Sequence, residues 1–351
     1  MNIQRFSTLC LLSASLLLAP SAHAQDEDED VTADVTPTPL TLINGWIAYP
    51  YGTAAPQVEK VGGIVHFKGA ISTAGASAYP FVLPSGLRPA HIVWIPVDMC
   101  NAQNGRLIIW PSGIVEVQAQ NAFSNAQCFT SLEGASFASS TSGFTSLSLI
   151  NGWKPYGNGT GKPEVKVVNG VVHFEGAIAS GTTNYAFILP KKFRPSHYVY
   201  IPVDMCDATN GRLWIAPSGY AYVQAETAFS YAQCFTSLDG AWFAQTDSGF
   251  TALSPVNGWL DGPYNTSPAE AANIGGIVHF KGSIDSGSST TVFTLPSFLT
   301  PSTYVFIPID LCNATKGRLI LYPNGQVVAQ AETAFSNAQC FTSLDGASFV
   351  K

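Results

Sequence analysis

Apolar and polar residues alternate in short runs along most of the chain, and no stretch repeats an apolar residue with a helical period. Strict alternation puts successive side chains on opposite faces of a strand. In GGIVHFKGAI, from Gly62, it sets Val65, Phe67 and Ile71 on one face and Ile64, His66 and Lys68 on the other. The run returns as NGVVHFEGAI from Asn169 and GGIVHFKGSI from Gly275. Lys68 becomes Glu175 and then Lys281, so the second face tolerates charge reversal and is expected to meet solvent.

The other elements follow the same logic. Asn44-Gly45-Trp46 predicts a turn with a Trp that anchors the first strand, and it recurs at Asn151 and Asn257. Short runs ending in Leu-Pro begin at Phe81, Phe187 and Phe293, and Pro89, Pro195 and Pro301 close the loops after them. A β-rich run then ends at Cys100, Cys206 or Cys312, and its internal Pro96, Pro202 or Pro308 predicts a sheet edge or bulge. Next comes a hairpin, Arg106–Trp110 and Ile114–Gln118, turning on Pro111-Ser112-Gly113 with the Gly left-handed. That turn sets Ile109 opposite Val115, and in the second copy Trp214 opposite Tyr222.

One stretch closes every copy: AFSNAQCFTSLEGASF, AFSYAQCFTSLDGAWF and AFSNAQCFTSLDGASF, starting at Ala122, Ala228 and Ala334 with a period of 106 residues. Its Cys, Phe and Leu residues read as a staple and a core strand. The period suits a domain and exceeds a solenoid unit. The chain therefore reads as all-β, with three tandem jelly-roll-like β-sandwich modules over 40–137, 146–243 and 252–351. Ser/Thr/Gly-rich links join them, and packing as an intrachain pseudo-trimer is one arrangement the tandem copies allow.

Composition adds a destination. Arg5, the apolar run Leu9–Ala19 and Ala22-His23-Ala24 form a secretory signal over residues 1–24, with cleavage after Ala24. No segment is apolar enough over 18 residues to span a bilayer. Residues 25–39 are acidic and then Thr/Pro-rich, a solvated linker. This linker holds six of the 23 acidic residues, so the modules are nearly neutral and a basic nucleic-acid footprint is missing. Cys10 leaves with the signal. The six remaining cysteines stand as Cys100/Cys128, Cys206/Cys234 and Cys312/Cys340. Sequence alone leaves all pairings open; one disulfide per module is the simplest, and an oxidising destination argues against free or metal-bound thiols.

Taken in order, Asn-Gly-Trp, Gly-x-Val-His-Phe-x-Gly, Leu-Pro-x3-Arg-Pro, Gly-Arg-(β)-Pro-x-Gly and Ser-Leu-Asp-Gly-x-Ser-Phe resemble the C-terminal receptor-binding module of phage tail and baseplate proteins. The resemblance covers each module from Asn44, Asn151 and Asn257 to Phe137, Phe243 and Phe349. It implies a jelly-roll-like sandwich, trimeric assembly and binding of host-surface saccharide. The chain departs from that pattern in its cysteine pairs, its signal peptide and Thr300 where Arg88 and Arg194 stand.

Catalytic motifs are missing: there is no G-x-S-x-G elbow, no HExxH and no paired-carboxylate motif. The recurring Asp98/Asp204/Asp310 and Arg106/Arg212/Arg318 read as fold-building, the Asp bonding turn amides and the Arg stem packing on the sheet. His66, His173 and His279 would suit a metal if the modules brought them together on one axis; the plainer reading is three separate histidines, so no metal or other cofactor is assigned. Binding rests on aromatics that the fold does not require. The middle module gains Trp214, Tyr220, Tyr222, Tyr231 and Trp242 where the other copies carry smaller or aliphatic residues, and Trp110 and Tyr322 offer rings on the same hairpin. Such rings serve sugars or module interfaces equally well. The reading is a secreted, non-catalytic protein that binds carbohydrate or a cell surface, as a monomeric pseudo-trimer or a homo-oligomer. The alternatives are a self-associating structural protein without a small ligand and a secreted hydrolase of unrecognised type.

Overall fold

A computed structural model describes residues 36–351. The signal segment and residues 25–35 of the linker lie outside the described residues. Each module holds three small antiparallel sheets, nine in all. Module 1 runs β1 (Thr38–Pro39), β2 (Trp46–Ala48), β3 (Gln57–Val61), β4 (Ile64–Lys68), β5 (Ala70–Thr73), β6 (Val93–Asp98), β7 (Asn104–Ile109), β8 (Val115–Ala119), α1 (Phe123–Cys128), β9 (Thr130–Ser131) and β10 (Ser136–Ala138). Its sheets are ordered β1-β3-β4-β10, β2-β5-β9 and β6-β7-β8. Modules 2 and 3 repeat this plan and add a fourth strand to the last sheet, Tyr185–Ile188 and Thr291–Thr294.

Each module has its own apolar core. Val65, Phe67 and Ile71 are buried in it, as the alternation requires, each aliphatic or aromatic side chain contributing about 1.5–3 kcal/mol. Trp46 anchors its strand from inside the core, and its indole Nε1 donates to the Ser77 carbonyl at 2.9 Å. The hairpin has the expected register, Ile109 opposite Val115, and Gly113 takes φ 88°, a left-handed value that glycine meets without a Cβ clash. Disulfides join Cys100–Cys128, Cys206–Cys234 and Cys312–Cys340.

The repeated closing stretch is not one strand. It opens with the six-residue helix α1, whose Ala126 faces the core and whose last residue carries the staple; β9 and β10 follow as two separate strands. A helix this short completes too few turns to leave a period in the sequence.

The modules close into a ring with pseudo-three-fold symmetry. The Arg106 guanidinium Nη1 donates to Asp204 of module 2 at 3.0 Å, Arg212 to Asp310 of module 3 at 3.2 Å, and Arg318 to Asp98 of module 1 at 3.0 Å. Hydroxyls run the other way round: Ser131 donates to the Phe306 carbonyl, Ser237 to Trp94 and Ser343 to Tyr200. The aspartates thus join modules instead of capping a local turn. Asn104 donates to Ala208 O and Asn210 to Ala314 O; their counterpart in module 3 is Lys316, whose ammonium lies 3.4 Å from Asp98. Edge strand β6, with Pro96, packs against its two counterparts around the axis, where a missing amide costs no ladder bond.

The ring also overturns the expected solvent face of β4. Ile64, His66, Glu175 and Lys281 are buried. Alternation reports two faces; it does not report whether water or a neighbouring module covers the second. The rows β3 and β4 send to the axis form layers: Val61, Ile64, Val168, Val171, Ile274 and Ile277 at one level, and the three histidines at the next.

Candidate binding site

The middle module brings together most of its expected aromatics, but packs them on one another. Tyr185, Tyr222, Trp214 and Tyr200 stand on four adjacent strands, each directly opposite the next. Trp214 and Tyr222 stack at 4.0 Å with 8° between planes, Tyr185 stacks on Tyr222 at 5.0 Å, and Tyr200 lies near-parallel to Trp214 at 6.1 Å. Tyr220 meets Tyr185 edge-on. Cross-strand aromatic pairs stabilise a sheet by roughly 0.2–1 kcal/mol each. A ring whose two faces touch neighbouring rings has no flat face left for a ligand. Tyr200 continues the row into module 3 through Phe341 at 4.9 Å, with Arg212 over its ring.

The remaining positions diverge. Tyr231 lies on the short helix Phe229–Cys234 and packs on the module 2 core. Trp242 is 0% exposed and sits edge-on against His279 of module 3 at 4.5 Å, so it is interior packing and takes no part in any surface. Tyr322 lies beside Tyr304 in module 3 at 5.2 Å.

Trp110 is different. It lines an open groove of about 550 Å³ in module 1 with Tyr79, Ile43, Ile114 and Val82, and with Asn44 and Ser112 as the polar groups. No charged side chain lines it. Asn44 Nδ2 donates to the Tyr79 carbonyl at 2.8 Å, which holds the amide at the rim. Three sequence differences set this face of module 1 apart from its counterparts. Pro80 stands where modules 2 and 3 have Ala186 and Val292, and a proline has no amide to give a ladder. The segment keeps one bridge, Val82 to Ile114, where the other modules form a strand. Tyr79 is the counterpart of Tyr185, but the residue in the place of Tyr222 is Glu116, so Tyr79 has no ring to stack on. Trp110 itself is Ala216 in module 2. Among the described residues no ring stacks on Trp110 or Tyr79. Comparing the copies for aromatics gained by the middle module missed Tyr79 and Asn44; the signal was Pro80, a proline in a strand that its sister copies pair.

The buried ionisable groups have structural surroundings. His66, His173 and His279 share one axial cavity of about 10 Å³, with the rings of His66 and His279 6.4 Å apart. Among the described residues no group of three His, Cys, Asp or Glu is arranged to hold a metal ion. Burial pushes the Glu175 carboxyl up to about 8, with His91 pulling the other way and Asp239 and Glu164 adding to the rise. His91 Nε2 lies 3.5 Å from Asp239 Oδ1 across the junction of modules 1 and 2. No family profile, characterised protein or solved structure matches this chain.

Proposed function

We propose that this is a secreted, non-catalytic binding protein that holds a neutral saccharide of a cell surface in the module 1 groove. The observation that carries the reading is the pair of unstacked rings, Trp110 and Tyr79, in an open, uncharged groove rimmed by an amide and a hydroxyl. Sugars present flat C–H faces to such rings and hydroxyls to such rims. The groove volume falls within the range of small-ligand sites, about 300–1,000 Å³. Three disulfides support an extracellular setting. Closure of the ring within one chain supports a monomer.

The test is a glycan-array screen of the mature chain with Trp110→Ala and Trp214→Ala alongside it. Trp110→Ala is expected to lose binding with its unfolding midpoint unchanged, and Trp214→Ala to lose stability with binding kept. Retained binding in Trp110→Ala overturns the reading. The second reading, a structural protein without a small ligand, is favoured by the ladder and by Trp242, where the added aromatics serve packing alone. An array with no hit would select it.

A further inference from the structure

The axial histidines have no role in the groove, and their setting is unusual. His66, His173 and His279 are 5, 6 and 3% exposed and line one cavity about large enough for a single water. Each comes from a different module, so the layer exists only while the ring is closed. No protein group among the described residues hydrogen-bonds any of the three rings, and Nδ1 of His279 is buried without a partner. Imidazoles buried to this degree without a protein partner favour the neutral form, since a cavity the size of one water hydrates three charges poorly.

We propose that the axial imidazole layer is an acid-operated lock, holding the three modules together while its rings are neutral and releasing them from one another when the rings take up protons.

The groups around the layer support this. Opposite His66 on β3 stands Glu59, a single carboxylate; opposite His173 stands Lys166, a like charge; opposite His279 stands Ala272. The strands on the other side offer Ser136, Trp242 and Ser348. The next layer along the same faces holds Lys68, Glu175 and Lys281, opposite Gln57, Glu164 and Glu270; Lys281 is already paired with Glu270 and Asp247. One carboxylate therefore faces three prospective cations and a lysine. Burial pushes His66 down to about 4 and His173 to about 3, and His279 well below the ordinary value, with the neighbouring histidines adding to the fall for the last two.

The sign follows directly. A histidine freed by opening titrates near 6.5, above its value in the closed ring. The stability it contributes is whole above about 6.5 and is lost as pH falls toward the closed-ring value. The buried acids act in the opposite sense. Glu133 is pushed up to about 8 by burial, and Asp204, Asp310 and Asp345 to about 7, so they favour the closed ring as pH falls through that range. The imidazole effect is thus read as a difference between the chain and its histidine variants. Each module has its own core and disulfide, so release separates the modules before it unfolds them.

The experiment is small-angle scattering and far-UV circular dichroism of the oxidised mature chain from pH 7.5 to 3.5, beside His66→Gln/His173→Gln/His279→Gln. The native chain is expected to expand with its β-signal intact as pH falls below the histidine range. The triple variant is expected to expand at least about one pH unit lower or not at all. The single variant His173→Gln, measured in parallel, is expected to take up fewer protons on opening, so a triple variant that fails to fold leaves the question answerable. A native chain that stays compact to pH 3.5 overturns the proposal. So does an opening midpoint and proton uptake that His173→Gln leaves unchanged.

Discussion

Asp98 offers the sharpest test of how the ring is closed. Its carboxylate is fully buried and receives two cations from module 3, Arg318 at 3.0 Å and Lys316 at 3.4 Å. Asp204 and Asp310 each receive one, Arg106 and Arg212. Asp98→Asn keeps the shape and removes the charge. Arg318 would keep Gln330 and the Met99 carbonyl, and Lys316 would keep the Gly317 carbonyl and the nearby Glu332, but both would lose the carboxylate they share. Breaking one buried pair by removing a partner costs about 3–5 kcal/mol. Asp204→Asn and Asp310→Asn should lie at or below the bottom of that range, because burial already drives those carboxyls up to about 7. Asp98→Asn should lie at the top, since two cations lose the carboxylate they share. Adding Lys316→Asn, which installs the residue that modules 1 and 2 carry, should recover about 1–2 kcal/mol by removing a buried ammonium that has lost its closest carboxylate. The assay is urea unfolding of the oxidised chain at pH 7.5, comparing midpoints at constant m-value. Equal costs for Asp98→Asn and Asp204→Asn, or no recovery from Lys316→Asn, would refute the reasoning.

Three other variants probe separate features. Glu175→Lys installs the residue of the sister copies opposite Glu164; because Glu175 is pushed up to about 8, its contribution fades as pH rises through that value, so the variant should gain more stability at pH 9 than at pH 5. An equal gain at both would show that Glu175 is not protonated in the fold. Trp242→Ser, again the sister residue, empties a fully buried indole site and should cost about 3–5 kcal/mol in denaturant unfolding without changing ligand binding; a cost under about 1 kcal/mol would place the indole outside the packed interior. Replacing Cys206 and Cys234 by Ser opens a loop with a sequence separation of 28 and should cost about 3.5 kcal/mol, with the same loss for the other two pairs.

Within a module, the sequence was readable because each cue had one physical meaning. Val65 and Phe67 alternate with polar neighbours, Gly113 needs a left-handed turn, and the turn then sets Ile109 against Val115. Between modules the same cues were ambiguous. The row Ile64, His66, Lys68 has the composition of a wetted face, yet most of it is interior, because a neighbouring module removes water as effectively as the module's own core does. Trp242 was misplaced for that reason. Asp98 and Arg106 looked local because the partner each one meets is about a full repeat or more away in the chain. The groove was half legible: Trp110 was picked out, but its openness depends on Pro80 and on Glu116 replacing an aromatic, which matter only once the neighbouring strands are known.

Linking the three copies in one chain frees the axis from a rule that binds every assembly of identical subunits. Three separate copies must place the same side chain at each axial level three times over. Three ammonium groups at the level of Lys316, or three indoles at the level of Trp242, would have to share the space and charge that one now occupies. Here each level is written by three independent codons, so a single lysine can sit at one junction, a single indole at another and a single glutamate, Glu175, at a third. The interior can be edited one residue at a time, and closure of the ring does not depend on protein concentration.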